Sequence, residues 1–587
     1  MKRSIAIICI MTLLLSGCAT VAPPSASAPP SASAPTQNVV QKEPVQNINE
    51  LLLRDKPLLY ANRDPLSVKT LYLTVRRGNE GENTDHTWQE INTYSVYDYD
   101  KMKTDRYQVE AILQEGDENG PTPDAFGYGV TTPNATVQVR GQTSSKYAQK
   151  NYKVKLKKDT ELFDSQRTIA LNKHMDDSLR IRNKMLFDLM TEIPSMMSLR
   201  TQFVHLYVKD ETAGDHALFA DYGLYTQVEQ LNRTALTAHG ADRNGQLYKI
   251  NLCEFYTYDD VIKLKTDPTY NLKAFEERVE VKGNDDHTKL IAMLNAVNDY
   301  SKSAEEIVDT YFEIDNLLTW MAFHILLGNE DTQNRNMYIY SPLNSEKWYF
   351  WSWDNDGALN RKTRELQGKD TDRGWECGIS NYWGNMLFRR VLKSENYRAM
   401  LDERIETLYH GVLAPDKVQA MAQRYAAVTT PYLYAMPDIA NAPVTQAQHE
   451  IVLQNIKTEI EKNYEDYQRS LVTPMPFYID IPRKTETGYA CGWEASFDLH
   501  SEDLTYTAEI SDSIHFTNIV AKYQGESLEI TIPPLAPGQY FIRVIAKNSI
   551  GKQQPAFDYY HYDDEKVFGV RCFYIMADGS VEMPGDE

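Results

Sequence analysis

The sequence reads as an α+β body joined to a small all-β unit. Alternating apolar runs gather in residues 68–156, 201–229 and 337–352, as strands require. Helical spacing dominates 287–328 and 380–470. Past Pro474 the texture changes to short strands and tight turns.

The elements follow in chain order. "LYLTVR" (71–76) alternates, and "ATVQVRGQTSSKYAQKNYKVKL" (135–156) reads as strand, turn-rich loop, strand. Residues 176–191, "DDSLRIRNKMLFDLMT", place Leu179, Met185, Leu186 and Leu189 on one helical face behind an Asp/Ser start. "FVHLYVKD" and "YGLYTQVEQ" form a hairpin, and the helical region 287–328 stops at Gly328-Asn329. A second hairpin, "NMYIYS" with "KWYFWSWD", is set between helices. In the tail, "LEITIPPLAPGQYFIRVIAKNSIG" puts a Pro-Gly turn before Tyr540 and an alternating strand after it. This resembles a fibronectin type III or immunoglobulin-like sandwich, whose tyrosine bonds back to the preceding corner.

The first residues bear on the compartment. "MKRSIAIICIMTLLLSGC" has a basic start and an apolar stretch too short to span a bilayer. It resembles a bacterial lipobox. That implies a leader over 1–17, lipidation at Cys18 and anchoring to the cell envelope; Ala19 in place of an Asp points to the outer membrane or cell surface. The Pro/Ser/Ala-rich stretch 18–50 reads as a tether. The body is expected over 51–474 and the β-sandwich over 475–587.

Composition excludes some classes. The 587-residue chain carries a net charge of -21, which argues against a nucleic-acid partner. Of six cysteines, Cys9 lies in the leader and Cys18 is the lipobox cysteine, and the others lack the spacing of a zinc site. Cys491 and Cys572 could pair in an oxidising compartment, and the sequence leaves this open. His-Glu-x-x-His, Gly-x-Ser-x-Gly and P-loop motifs are absent. His174, His205 and His324 stand alone and read as core or surface residues rather than ligands.

"GNEDTQNRNMYIY" (328–340) and "WSWDNDG" (351–357) hold the chemistry. Phosphoryl transfer to a hydroxyl needs a carboxylate for the acceptor, hard oxygen ligands for a divalent ion, and a cation on the phosphates. Protein kinases supply the first two with an Asp and an Asn five residues apart, and a further Asp one hairpin later. Asp331, Asn336 and Asp354 repeat that order, with Asp356 two residues beyond. No His-Arg precedes Asp331, and no Gly-x-Gly-x-x-Gly is present.

The sequence of blocks "VQVRGQTSSKYAQKNYKVKL", "LNKHMDDSLRIRNKM", "YGLYTQVEQLN", "QLYK", "GNEDTQNRNMYIY" and "WSWDNDG" resembles the spore-coat protein H (CotH) kinase family over roughly 65–400. The resemblance implies an atypical protein-kinase-like body, strand-rich first and helical later, using ATP with Mg2+ or Mn2+. Asp331 falls on the catalytic aspartate, Asn336 and Asp354 on metal ligands, and Asp356 on the second acid of that motif. Lys150 falls on the family's lysine before an aromatic, and Glu229 on an acid that would hold it. Strand parity also puts Lys150 on the apolar face with Tyr152, Val154 and Leu156, where a cation needs an anion. Lys153 and Lys155 have solvent parity. Arg140 opens the loop that would cover phosphates. Arg182 and Asn183 read as structural, with phosphate contact as the alternative. The implied activity is phosphate transfer to a Ser or Thr hydroxyl of a surface or secreted protein. A glycan acceptor is the variant. The rival is a non-catalytic surface lipoprotein or adhesin using the same fold to bind metal, glycan or a partner.

Overall fold

The computed structural model describes residues 53–61, 63–214, 217–563 and 565–584. The expected leader, Cys18 and the whole of the expected tether lie outside them. No helix among the described residues is long and apolar enough to cross a membrane. The architecture is mixed α/β.

The N-terminal strands are β1 (Val68–Arg76), β2 (Val109–Asp117), β3 (Gly120–Pro121), β4 (Ala135–Arg140), β5 (Asn151–Leu156), β6 (Thr168–Asn172), β7 (Thr201–Asp210) and β8 (Ala220–Glu229). Their order is β1-β7-β8-β6-β5-β4-β2-β3, and β1 also pairs with β2. The sheet therefore closes on itself, with β3 outside the ring. Closure leaves the ring without free edges. One parity of each strand fills the interior: Leu71, Leu73, Val137, Val139, Tyr152, Val154, Leu171, Val204 and Leu206 pack there. The alternating burial of β4 and β5 is the signature of that inward face.

A second sheet follows, in the order β10-β9-β11-β12. Its strands are β9 (Gln246–Ile250), β10 (Val279–Val281), β11 (Met337–Ser341) and β12 (Tyr349–Ser352). Every residue of β11 and β12 is buried. The helix Ile314–Leu326 is apolar on all sides and buried from Asn316 onward, as a central core helix must be. Asn316 clamps it to the hairpin: its amide oxygen accepts from Phe350 N–H at 2.6 Å, and its Nδ2 donates to the Phe350 carbonyl at 3.2 Å.

The expected helix 176–191 begins later, at Arg182. The Asp177 carboxylate accepts from the N–H groups of Leu179 and Arg182 and holds the preceding residues in a turn. The region 287–328 divides into helices Thr288–Asn298, Ala304–Tyr311 and Ile314–Leu326. A Ser303–Glu306 capping box and the Glu313 N-cap set the later starts.

In the tail, strands Arg483–Thr485, Gly488–Gly492 and Glu529–Ile532 form one sheet, and Leu504–Ser511, Ile519–Gly525, Gly538–Asn548 and Val570–Ile575 the core of another. Cys491, Trp493, Ile532, Ile510, Ile542 and Val544 share one cluster. The Tyr540 hydroxyl donates to the Ala536 carbonyl at 3.1 Å. Cys491 and Cys572 are free thiols. Cys572 belongs to a separate cluster, because its strand turns it away from the face bearing Phe573. A short hairpin, Tyr559–Tyr562 with Glu565–Phe568, forms its own two-stranded sheet.

Candidate active site

The hairpin β11–β12 carries acids and an amide at one end. Beyond the Met337–Ser352 pair, Trp353 N–H donates to the Asn336 carbonyl at 3.0 Å. Asn336 faces Trp353 in the register, Asp354 follows one residue later, and Asn336 and Asp354 both have left-handed backbones, φ 55° and 54°. Asn and Asp tolerate that conformation better than other residues with a Cβ. Strain of this kind concentrates where a chain must leave regular structure to present a side chain.

Asp331 lies in the one-turn segment Glu330–Thr332 and is exposed. The turn is held from below. Asn381 Nδ2 donates to the Glu330 carbonyl at 3.1 Å and Asn385 Nδ2 to the Gln333 carbonyl at 2.7 Å. The Thr332 hydroxyl bonds the Asn329 carbonyl at 2.8 Å. Asn329 Nδ2 reaches Asn355 Oδ1 at 3.4 Å, which joins the two motif segments. His324 bonds Ser352 at 2.9 Å, and burial lowers its pKa to about 3, so it is a neutral core residue.

The two acids of the Trp-Asp-Asn-Asp segment differ. Burial and then the charge of Asp356 push Asp354 up to about 6, against the pull of Arg140, His174 and Lys249. Asp356 is held below the carboxylate range despite burial, because His174 Nδ1 donates to it at 2.9 Å. Asn183 fixes that imidazole. Its oxygen accepts from Asn355 N–H at 3.0 Å, so its amide N–H faces His174 Nε2 at 3.2 Å. Nε2 accepts, and the ring proton sits on Nδ1. Burial works against a second proton on the ring, but the Asp356 hydrogen bond outweighs it and raises the pKa. Taking that proton would break the Asn183 contact. Arg182 is buried against Asp177 and donates to the Leu359 carbonyl at 3.0 Å.

Across from the acids lies the outer face of β4 and β5. Register pairs Gln138 with Lys153 and Arg140 with Asn151, so these four side chains share that face. Arg140 stacks over Trp353 at 5.4 Å and donates to Asn172 Oδ1. Burial lowers its pKa, and Asp354, Tyr338, Asp356 and Glu280 lie within reach of its charge. Lys153 is pulled down to about 8 by burial and then by Lys282, Lys155, Arg106 and Arg140. On the second sheet, Glu280 meets Lys249 at 3.4 Å and also Lys282. A cavity of about 470 Å3 opens beside this wall, lined by Asn83, Asp105, Arg106 and Gln138 among others. Positive charge is in excess on one side, and two close carboxylates sit on the other.

The structure does not bring Lys150 and Glu229 together. Lys150 Nζ donates to the Ser145 carbonyl at 2.7 Å, and the nearest acid acting on it is Asp98. Glu229 is clasped by Arg200 and by His239 Nε2 at 2.9 Å, while His239 Nδ1 meets Asp55 at 2.6 Å. His239 is raised to about 9 and Glu229 lies far below the carboxylate range. The physical reason is closure of the ring: the apolar parity of β5 points into the barrel, and the cleft lies on the polar parity. Lys153, rather than Lys150, shares the outer face with Arg140. Lys153, Lys249, Lys282, Arg106 and His174 were missed by sequence reasoning. Only Lys153 had a usable signal, its shared face with Arg140 once the hairpin register is drawn.

No three His, Cys, Asp or Glu side chains among the described residues lie close enough to hold a metal alone. The expected set differs in kind, since it joins two carboxylates to the Asn336 amide.

Among solved structures, the twitchin kinase region from C. elegans (Fn31-NL-kin-CRD-Ig26) is similar at 12% identity, covering 69% of this chain and 71% of that one. Its TM-score of 0.15 is too low to carry an argument about the fold. No curated protein matches. The family model described as CotH kinase protein matches residues 137–467, more than half of the 587 residues. The chain belongs to the CotH kinase protein family.

Proposed function

We propose that this chain is an envelope-anchored atypical kinase. It moves a phosphoryl group from a Mg2+-bound nucleoside triphosphate, ATP in the first instance, to a Ser or Thr hydroxyl of a surface or secreted protein. One observation carries the reading: Arg140, on the outer face of β4 and β5 that Lys153 shares, lies within reach of both Asp354 and Asp356. Asp354 and Asp356 repel each other and need a cation. Lys153 and its neighbouring cations repel one another and need an anion. A divalent ion carried on a polyphosphate meets both needs at once.

The roles follow from position. Arg140 and Lys153 hold phosphate oxygens from the barrel side. Asp354, Asp356 and the Asn336 amide are the oxygen ligands for the ion, and His174 and Asn183 fix Asp356. Bound there, the ion screens charge on the transferring phosphoryl group. Asp331, exposed on a pinned turn, orients the acceptor hydroxyl and takes its proton. Lys150 and Glu229 serve stability instead. Cys18 is the membrane anchor, 18–50 the tether, and 475–587 a fibronectin-like module; the Tyr540–Ala536 hydrogen bond supports that last assignment.

Two measurements test the reading. Mg2+–ATP is expected to raise the melting temperature, and neither Mg2+ nor ATP alone matches it. Labelled phosphate transfer to acceptor protein is expected from the wild type and not from Asp331→Ala. Binding without transfer would favour a nucleotide-binding protein. Absence of both would favour the adhesin.

A further inference from the structure

We infer that Lys566, in the C-terminal β unit, is a positioning residue for the acceptor side of the active site. It acts by holding Glu376 beneath the turn that carries Asp331. The inference rests on the kinase reading for its catalytic consequence and on contacts alone for its structural part.

Residues 370–381 are wedged between two partners. On the inner side, Arg373 Nη1 donates to the Gly328 carbonyl at 3.1 Å, and Asn381 Nδ2 to the Glu330 carbonyl at 3.1 Å. These bonds anchor the chain just before Asp331. On the outer side the tail hairpin closes over the same segment. Lys566 Nζ donates to Glu376 Oε1, and Asp370 N–H donates to Glu565 Oε1 at 3.2 Å. Trp375 Nε1–H donates to the Phe557 carbonyl at 3.1 Å. Gly374 lies directly under the Phe568 ring: a Cβ there would fall 2.5 Å from the ring carbon Cγ. Its φ of 51° also favours glycine. The segment has no room to adopt another path while the hairpin is docked.

Charge gives the contact its purpose. The Glu376 side chain is 11% exposed, and both Glu330 and Asp331 act on it. Burial and then Glu330 raise its pKa, while Lys566 pulls it back. Without that ammonium, a buried carboxylate faces two others with no cation of its own. It must take up a proton or move toward solvent, and either change displaces residues bonded to the catalytic turn. The C-terminal unit thus forms one wall of the acceptor site rather than a passive spacer.

The test uses the full chain with Lys566→Gln, Lys566→Arg, Glu376→Gln and the Glu376→Gln/Lys566→Gln double variant. Lys566→Gln is expected to lower kcat about tenfold with the nucleotide KM unchanged, since misplacement acts on the acceptor and not on nucleotide binding. Lys566→Arg restores it. In the Glu376→Gln background, Lys566→Gln adds less than about twofold, because the two act through one contact. Hydrogen exchange supplies a readout free of catalysis: amides of 328–333 exchange faster in Lys566→Gln, and β4 and β5 do not change. Unchanged exchange in 328–333 overturns the proposal, as does equal loss of kcat in both backgrounds. Faster local exchange in Lys566→Gln, with a wild-type protein that never transfers phosphate, upholds the positioning contact and rejects the kinase reading alone.

Discussion

At the scale of single residues, two lysines three positions apart have opposite fates. Lys150 folds back on its own loop, and Lys153 joins Arg140, Arg106 and Lys282 in a cation cluster on the outer face of the barrel. Lys153→Ala is expected to weaken Mg2+–ATP binding about tenfold, the loss of one charge-assisted contact. Lys150→Ala should leave that affinity within about twofold and lower thermal stability instead. His174 is the other informative residue. Its Nδ1 proton is directed at Asp356 by Asn183. Partners that orient a ligand typically contribute about 10–100-fold in metal affinity. Titration of Mg2+ into His174→Ala should show a loss in that range, with folding retained by circular dichroism. The sequence hid both residues for physical reasons. Polar parity on a strand normally means solvent, yet here a second sheet covers that face. His174 meets an acid 182 residues away, a distance local pattern does not span.

At the scale of elements, the hairpin β11–β12 was legible, because both strands are short apolar runs dense in aromatic residues. What was not legible is the left-handed backbone at Asn336 and Asp354, where sequence offers only residue tolerance. Asn336→Gly should keep the backbone and lose metal affinity. Asn336→Ala should lose the same affinity and unfold at lower denaturant, by about 1 kcal/mol. The β8 strand and the helix Arg233–His239 meet in a second charge contact with its own pH signature. His239 is raised to about 9 from an ordinary 6.5. Its contribution is therefore complete below pH 6.5 and is lost as pH rises through 9. The unfolding free energy from urea titration should fall across that window by an amount on the order of 2 kcal/mol. The slope should disappear in His239→Gln.

At the scale of the whole molecule, three parts converge on one cleft. The closed barrel offers Arg140 and Lys153, the second sheet adds Lys249 and Lys282 around Glu280 and leads from β12 into Asp354 and Asp356, and the tail hairpin contacts the segment that holds the Asp331 turn. The α+β character and the change of texture near Pro474 were readable from periodicity. Barrel closure was not, since it depends on β1 pairing in parallel with β7 and antiparallel with β2. Those partners lie far along the chain, and alternation specifies a face without naming a neighbour. Charge complementarity across the cleft is the central claim, and calorimetric titration of ATP in the presence of Mg2+ tests it most directly. The expected result is saturable binding to the wild type that requires the metal, is lost in Asp354→Asn and is weakened in Lys153→Ala. Binding indifferent to both substitutions, or no binding at all, would contradict it.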